Sequence, residues 1–117
     1  MVALSEPMEV DLEIYRGDTG RFRVTVTKED LSPVDLTLAE WDADIRGTGT
    51  SPAVIANFTI ELVEDDTSSF DVILDEINAD KLIAGDLVYD VEMRMGGEVV
   101  TLIKGTITVT QDVSRPE

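Results

Sequence analysis

At 117 residues the chain has room for a single domain, and 43% hydrophobic content is enough to give it a core. Its 25 acids against 9 bases leave a net charge of −16, which disfavours contact with phosphate backbones and anionic lipid. Cysteine and histidine are both absent, which excludes disulfides, thiolate zinc sites, cysteine nucleophiles, Ser-His-Asp triads and histidine pH switches.

No apolar run approaches the roughly 20 residues of a membrane helix. The N-terminal stretch Met1 to Glu9 has neither the basic region nor the apolar segment of a secretory signal. The expectation is a protein made in a cytoplasm, with no membrane and no nucleic acid among its partners.

The dominant sequence period is two, which predicts strands. Val10, Leu12 and Ile14 alternate with Asp11, Glu13 and Tyr15, and Phe22, Val24 and Val26 alternate with Arg21, Arg23, Thr25 and Thr27. Arg16-Gly17-Asp18-Thr19-Gly20 lies between them and supplies the permissive backbone of a reversal. The two segments read as a hairpin, or as neighbours with a short connection. Lys28 to Val34 is a polar loop ending in Ser32-Pro33, after which Leu36, Leu38, Trp41, Ala43 and Ile45 are placed to line a core. Arg46 to Pro52 reads as a surface loop within one domain.

Phe58, Ile60 and Leu62 begin the next alternating run, and Phe70, Val72 and Leu74 follow the turn-like Glu64 to Ser68. Asp75 to Gly85 breaks the rhythm: Ile77, Leu82 and Ile83 sit at helical spacing, Asp75 can cap, and Gly85 can terminate. Leu87, Tyr89, Val91 and Met93 then alternate up to Gly96-Gly97, a two-residue hairpin signal. In the long last run, Leu102 falls out of phase with Ile107 and Val109, which predicts a bulge near Lys104-Gly105. The pattern predicts an all-β, immunoglobulin-like antiparallel sandwich of seven to eight strands, with one short helix near residues 76–84. The expected core is Leu12, Ile14, Phe22, Val24, Trp41, Ile45, Phe58, Ile60, Phe70, Val72, Tyr89, Val91, Ile107 and Val109. The expected organisation is an N-terminal arm over 1–8, the sandwich over 9–113 and a tail over 114–117.

Catalysis would have to come from carboxylates, hydroxyls, lysines or arginines. Most acids, including Asp11, Glu13, Asp42, Asp44, Asp71, Asp90 and Glu92, take the solvent parity of their strands, so a solvated face accounts for them. Glu64-Asp65-Asp66 and Asp75-Glu76 are oxygen donors of the type calcium prefers, but no Asp-x-Asp-x-Asp-Gly loop is present. Arg16-Gly17-Asp18 spells an adhesive tripeptide, and a tight turn explains it more simply. Trp41 reads as core, and Tyr15 is the aromatic expected to be exposed.

Several segments in order carry a resemblance. They are Leu12-x-Ile14-Tyr15-Arg16-Gly17-Asp18-Thr19, Pro33-Val34-Asp35-Leu36-Thr37, Asp44-Ile45-Arg46, Leu82-Ile83-x-Gly85, Val88-Tyr89-Asp90-Val91-Glu92-Met93, Thr101 to Val109 and Asp112-Val113-Ser114-Arg115. Together they make the chain resemble the small β-sandwich domains of tailed-phage virion proteins, especially the N-terminal domain of the phage baseplate upper protein and its single-domain relatives. Leu38-Ala39-Glu40-Trp41 departs from that pattern, where the family often has a glycine and an aromatic. The resemblance covers about Val10 to Arg115. It implies a non-enzymatic structural protein of a bacteriophage particle, in the tail, baseplate, tail tip or neck, without cofactor or metal. Its partners would be other virion subunits, in a homo- or hetero-oligomer.

Head decoration of the capsid is the alternative position, and a carbohydrate- or receptor-binding module is the competing class. Residues 1–8 offer Val2, Leu4 and Met8 as apolar anchors for a neighbouring subunit; folding back on the chain's own sandwich is the other reading.

Overall fold

The alternating runs become strands whose apolar sides meet between two sheets. A computed structural model describes residues 2–3, 7–28, 30–48 and 53–110. In chain order the elements are β1 (Val2–Ala3), β2 (Met8–Glu9), β3 (Leu12–Tyr15), β4 (Gly20–Thr27), β5 (Glu40–Gly47), β6 (Val54–Asn57), β7 (Thr59–Val63), β8 (Asp66–Leu74), α1 (Glu76–Ala79), β9 (Gly85–Met95) and β10 (Glu98–Thr110). One sheet has the order β1-β4-β8-β7; the other runs β2-β10-β9-β5-β6, with β3 also on β10. This is the expected immunoglobulin-like two-sheet sandwich with one short helix, but with ten strands among the described residues instead of seven to eight, because short pieces such as β1 and β2 pair separately at the sheet edges.

Its long pairings are antiparallel, whereas β1 joins β4, and β2 and β3 join β10, in parallel. Phe70, Leu36, Ile45, Leu74, Leu82 and Met93 are among the largest fully buried side chains. Trp41 packs on Phe70 with ring centroids 4.5 Å apart, and Phe58 meets Tyr89 edge-on at 5.4 Å.

The chain repeatedly changes sheets, and this corrects the reading of β3 and β4 as a hairpin. β3 lies on β10 and β4 on β8, so Arg16 to Thr19 carries the chain across the sandwich. Gly17 takes φ 89° there, and the Asp18 N–H donates to the Tyr15 carbonyl at 3.0 Å. A second change occurs at Phe58, between β6 and β7, where the Phe58 N–H donates to Ala43 at 2.9 Å. Both changes place successive alternating runs in different sheets, which periodicity cannot reveal.

Three local expectations also move. The helix is confined to Glu76–Ala79, with the Asp75 carboxylate accepting from the Asn78 N–H at 2.8 Å. Leu82 is buried, but Ile77 and Ile83 are exposed, because one turn has no second row to bury. Leu38 is 85% exposed, since it precedes β5 instead of extending its inward row. The bulge falls between Thr101 and Ile103, not at Lys104-Gly105, and lets both Leu102 and Ile103 be buried.

Gly105 has a different role. A Cβ there would collide with the Val10 carbonyl, so glycine lets β10 approach the chain between β2 and β3. At the β9–β10 turn, Gly96 and Gly97 both take positive φ, as a tight two-residue hairpin requires.

Candidate functional site

The charges concentrate on the outer face of the larger sheet, where strand register aligns them in rows. One row runs Asn57, Asp44, Asp90, Lys104 and Glu9 across β6, β5, β9, β10 and β2. The adjoining row sets Asp42 opposite Glu92. Directly opposed like charges destabilise a sheet, and the chain offsets part of this with cations two residues along. Arg46 bonds Asp44 at 3.0 Å, Arg94 lies 3.0 Å from Asp42, and Asn57 Nδ2 donates to Asp44 at 2.7 Å.

Asp90 sits above the ordinary carboxylate range. Burial is the main cause; the Arg46 charge opposes it, while Asp44 and Asp42 add to it. It borders a depression of about 330 Å3 together with Asp44, Arg46, Tyr89, Lys104 and Thr106. The Tyr89 phenol is committed elsewhere: it donates to the Val10 carbonyl at 2.6 Å, and burial, with the charge of Asp11, pushes it up to about 12.

In the acidic turns singled out in the sequence, Asp66 and Asp75 are occupied by their own neighbours. The Asp66 carboxylate accepts from the Ser68 N–H and hydroxyl and from the Ser69 hydroxyl, which hold it below its ordinary range. Asp75 spends its carboxylate on Asn78. Asp30 and Asp35 repeat the Asp66 geometry with Ser32 and Thr37. The sequence carries a signal for these turns: Asp-x-Ser/Thr occurs at Asp30, Asp35 and Asp66, and this spacing favours side-chain-closed turns. Among the described residues, no three acids gather where a metal ion could be held.

Asp71 takes the outward parity expected of it but is not solvated. Arg23 donates to it from Nε at 2.8 Å and from Nη2 at 3.3 Å, and Arg21 lies 3.9 Å away. The two long side chains cover it and leave it 7% exposed. The hydrogen bond from Arg23 is the main force holding its carboxyl below the ordinary range, against its burial.

The anchors proposed from sequence fall in different surroundings. Val2 lies opposite Val26 at the edge of the smaller sheet. Met8 lies opposite Ile103 at the edge of the larger one, half-buried against the core. Leu4 lies outside the described residues. Exposed apolar side chains mark both ends of the sandwich. Leu38 and Val99 flank a depression at the β9–β10 turn, and Tyr15 and Val54 stand at the other end of the larger sheet. Of the six aromatic residues, Tyr15 alone is exposed.

No protein-family model and no curated protein matches the chain. Solved structures do. The fold is similar to that of a phage protein domain. The N-terminal domain of phage TP901-1 ORF48 superposes with a TM-score of 0.50 at 8% identity, over 94% of each chain. A DUF4784 family protein from Bacteroides caccae gives a TM-score of 0.44 at 13% identity; the match covers 95% of this chain and 24% of that longer one. At these identities the likeness is one of fold.

Proposed function

We propose that the protein is a non-enzymatic structural subunit of a tailed-phage particle, on the tail, baseplate or neck side. The observation that carries this reading is the near full-length likeness of its fold to a single phage domain, the N-terminal domain of phage TP901-1 ORF48. The ordered sequence segments that resemble baseplate upper protein domains point the same way. The chemistry of the chain is in keeping with it. Several of its acids are engaged in turns, in a cap and in cross-strand pairs, and exposed Leu38, Val99, Tyr15 and Val54 lie at the two ends of the larger sheet. A net charge of −16 keeps such a subunit soluble before assembly and repels it from packaged DNA.

The test is copy number in purified particles, by quantitative mass spectrometry with labelled reference peptides. A few to a few tens of copies is the expected result. Hundreds would make the protein a head decoration subunit, and absence from particles would refute the virion reading.

A further inference from the structure

The sandwich is left open along the side where β3 and β4 face each other. β1 pairs with only Val26 and Thr27 of β4. Gly20 to Thr25 pair with β8 on one side, and among the described residues no strand lies on the other. Across from that bare edge, β3 is the outermost strand of the larger sheet over its length. Between them runs a groove of about 190 Å3, lined by Leu12, Ile14, Phe22 and Phe58 and by the exposed Glu13 and Arg21.

Leu12, Ile14 and Phe22 have the parity of core residues, and each is only half-buried. Val24 and Val26, further along the same β4 row, are 3% and 0% exposed. Two unmet demands therefore coincide: a run of backbone without a ladder partner, and core-facing side chains left partly in water. An extended segment with apolar residues at alternate positions answers both. We propose that the β3–β4 groove receives such a strand from a neighbouring subunit of a different protein, added to β4 in line with β1.

The composition of this chain argues against the nearer occupants. Residues 111–117, Gln-Asp-Val-Ser-Arg-Pro-Glu, offer one valine and a proline that has no N–H for a ladder. A second copy brings another −16 of charge against this one. The proposal rests on the reading of the protein as an assembly subunit, and its test has one arm that needs no particle.

That arm uses the chain itself. Because Val2 faces Val26 in a parallel register, a Thr-Val-Thr-Val-Thr-Val strand joined ahead of Met1 is in line to run along Thr19 to Val24, with its valines opposite Gly20, Phe22 and Val24 and so inward. It should raise Tm by about 5 °C or more. It should also slow amide exchange over residues 21–25 about tenfold or more. The same residues shifted by one, Val-Thr-Val-Thr-Val-Thr, turn the valines to solvent and should do neither. Equal effects of the two extensions, or no protection at 21–25, overturn the proposal whatever the particle contains. The second arm exploits the absence of cysteine. Arg21→Cys carries a photo-cross-linker to the groove in assembled particles, and the expected product joins it to an extended segment of another virion protein. Cross-links confined to this chain or to a second copy overturn the choice of occupant. Absence of the protein from particles refutes the virion reading and leaves the result of the first arm standing.

Discussion

Tyr89→Phe removes a single oxygen, and its cost can be worked from the geometry. The phenol donates to the Val10 carbonyl at 2.6 Å, and the Val10 N–H donates to the Lys104 carbonyl at 3.0 Å, so one residue between β2 and β3 is held from both sides. Tyr89 is 4% exposed, and no water would replace the lost donor without rearrangement. A net hydrogen bond together with an acceptor left unsatisfied amounts to about 1–2 kcal/mol. For a chain of this size that is a fall in Tm of roughly 4–8 °C. Calorimetry would measure the shift, and hydrogen exchange should show faster exchange at Val10. Tyr15→Phe, at an exposed site, is the control. The pH dependence adds a second reading. An unfolded tyrosine ionises near pH ~10, and the folded Tyr89 at about 12. Below the lower value the contribution is fully present; between the two, the unfolded chain loses its proton while the folded one keeps it, so stability falls as pH rises. Tyr89→Phe should remove that part of the alkaline decline. A Tm within about 1 °C of the parent, with exchange at Val10 unchanged, would refute the anchoring role.

Truncating the core at Ile107→Ala or Val91→Ala, both 0% exposed, should cost about 1–4 kcal/mol in urea unfolding, with the larger loss at Ile107. Gly105→Ala forces a methyl group against the Val10 carbonyl and should destabilise by about 1–3 kcal/mol, with exchange accelerated over Met8 to Tyr15. Asp90 faces Asp44 on one side and Lys104 on the other, and burial is the main cause of its raised pKa, so Asp90→Asn should stabilise at pH 7 by at most ~0.3 kcal/mol. The gain should vanish in acid: below both its pKa values Asp90 is neutral in the folded and unfolded states, and its destabilising contribution grows only as pH rises. Asp71 has the opposite sign. Its depressed folded value means that its contribution is present above the unfolded pKa and is lost as pH falls through the folded one, so Asp71→Asn should flatten the acid limb of a Tm-against-pH curve.

Much of the sandwich follows from residue order alone. Alternation along Phe22 to Val26, Ala43 to Ile45, Phe70 to Leu74 and Leu87 to Met93 sets which side of each strand is buried, because the period of two is a property of the extended backbone and not of its neighbours. Gly96-Gly97 likewise marks a hairpin, since only glycine takes two successive positive φ values freely. Asp75 as a cap and Tyr15 as the exposed aromatic were legible for similarly local reasons. Which strand lies beside which is not a local property. β3 and β4 are consecutive and equally alternating, yet their partners are the distant β10 and β8, and only the packing of two sheets decides that. The same non-local choice leaves Leu12, Ile14 and Phe22 half in water, although their parity is that of a core. It also places Asp44 opposite Asp90, which are 46 positions apart, and folds Arg23 over Asp71. Parity tells a side chain which way to point; only the neighbouring strand determines what it meets there.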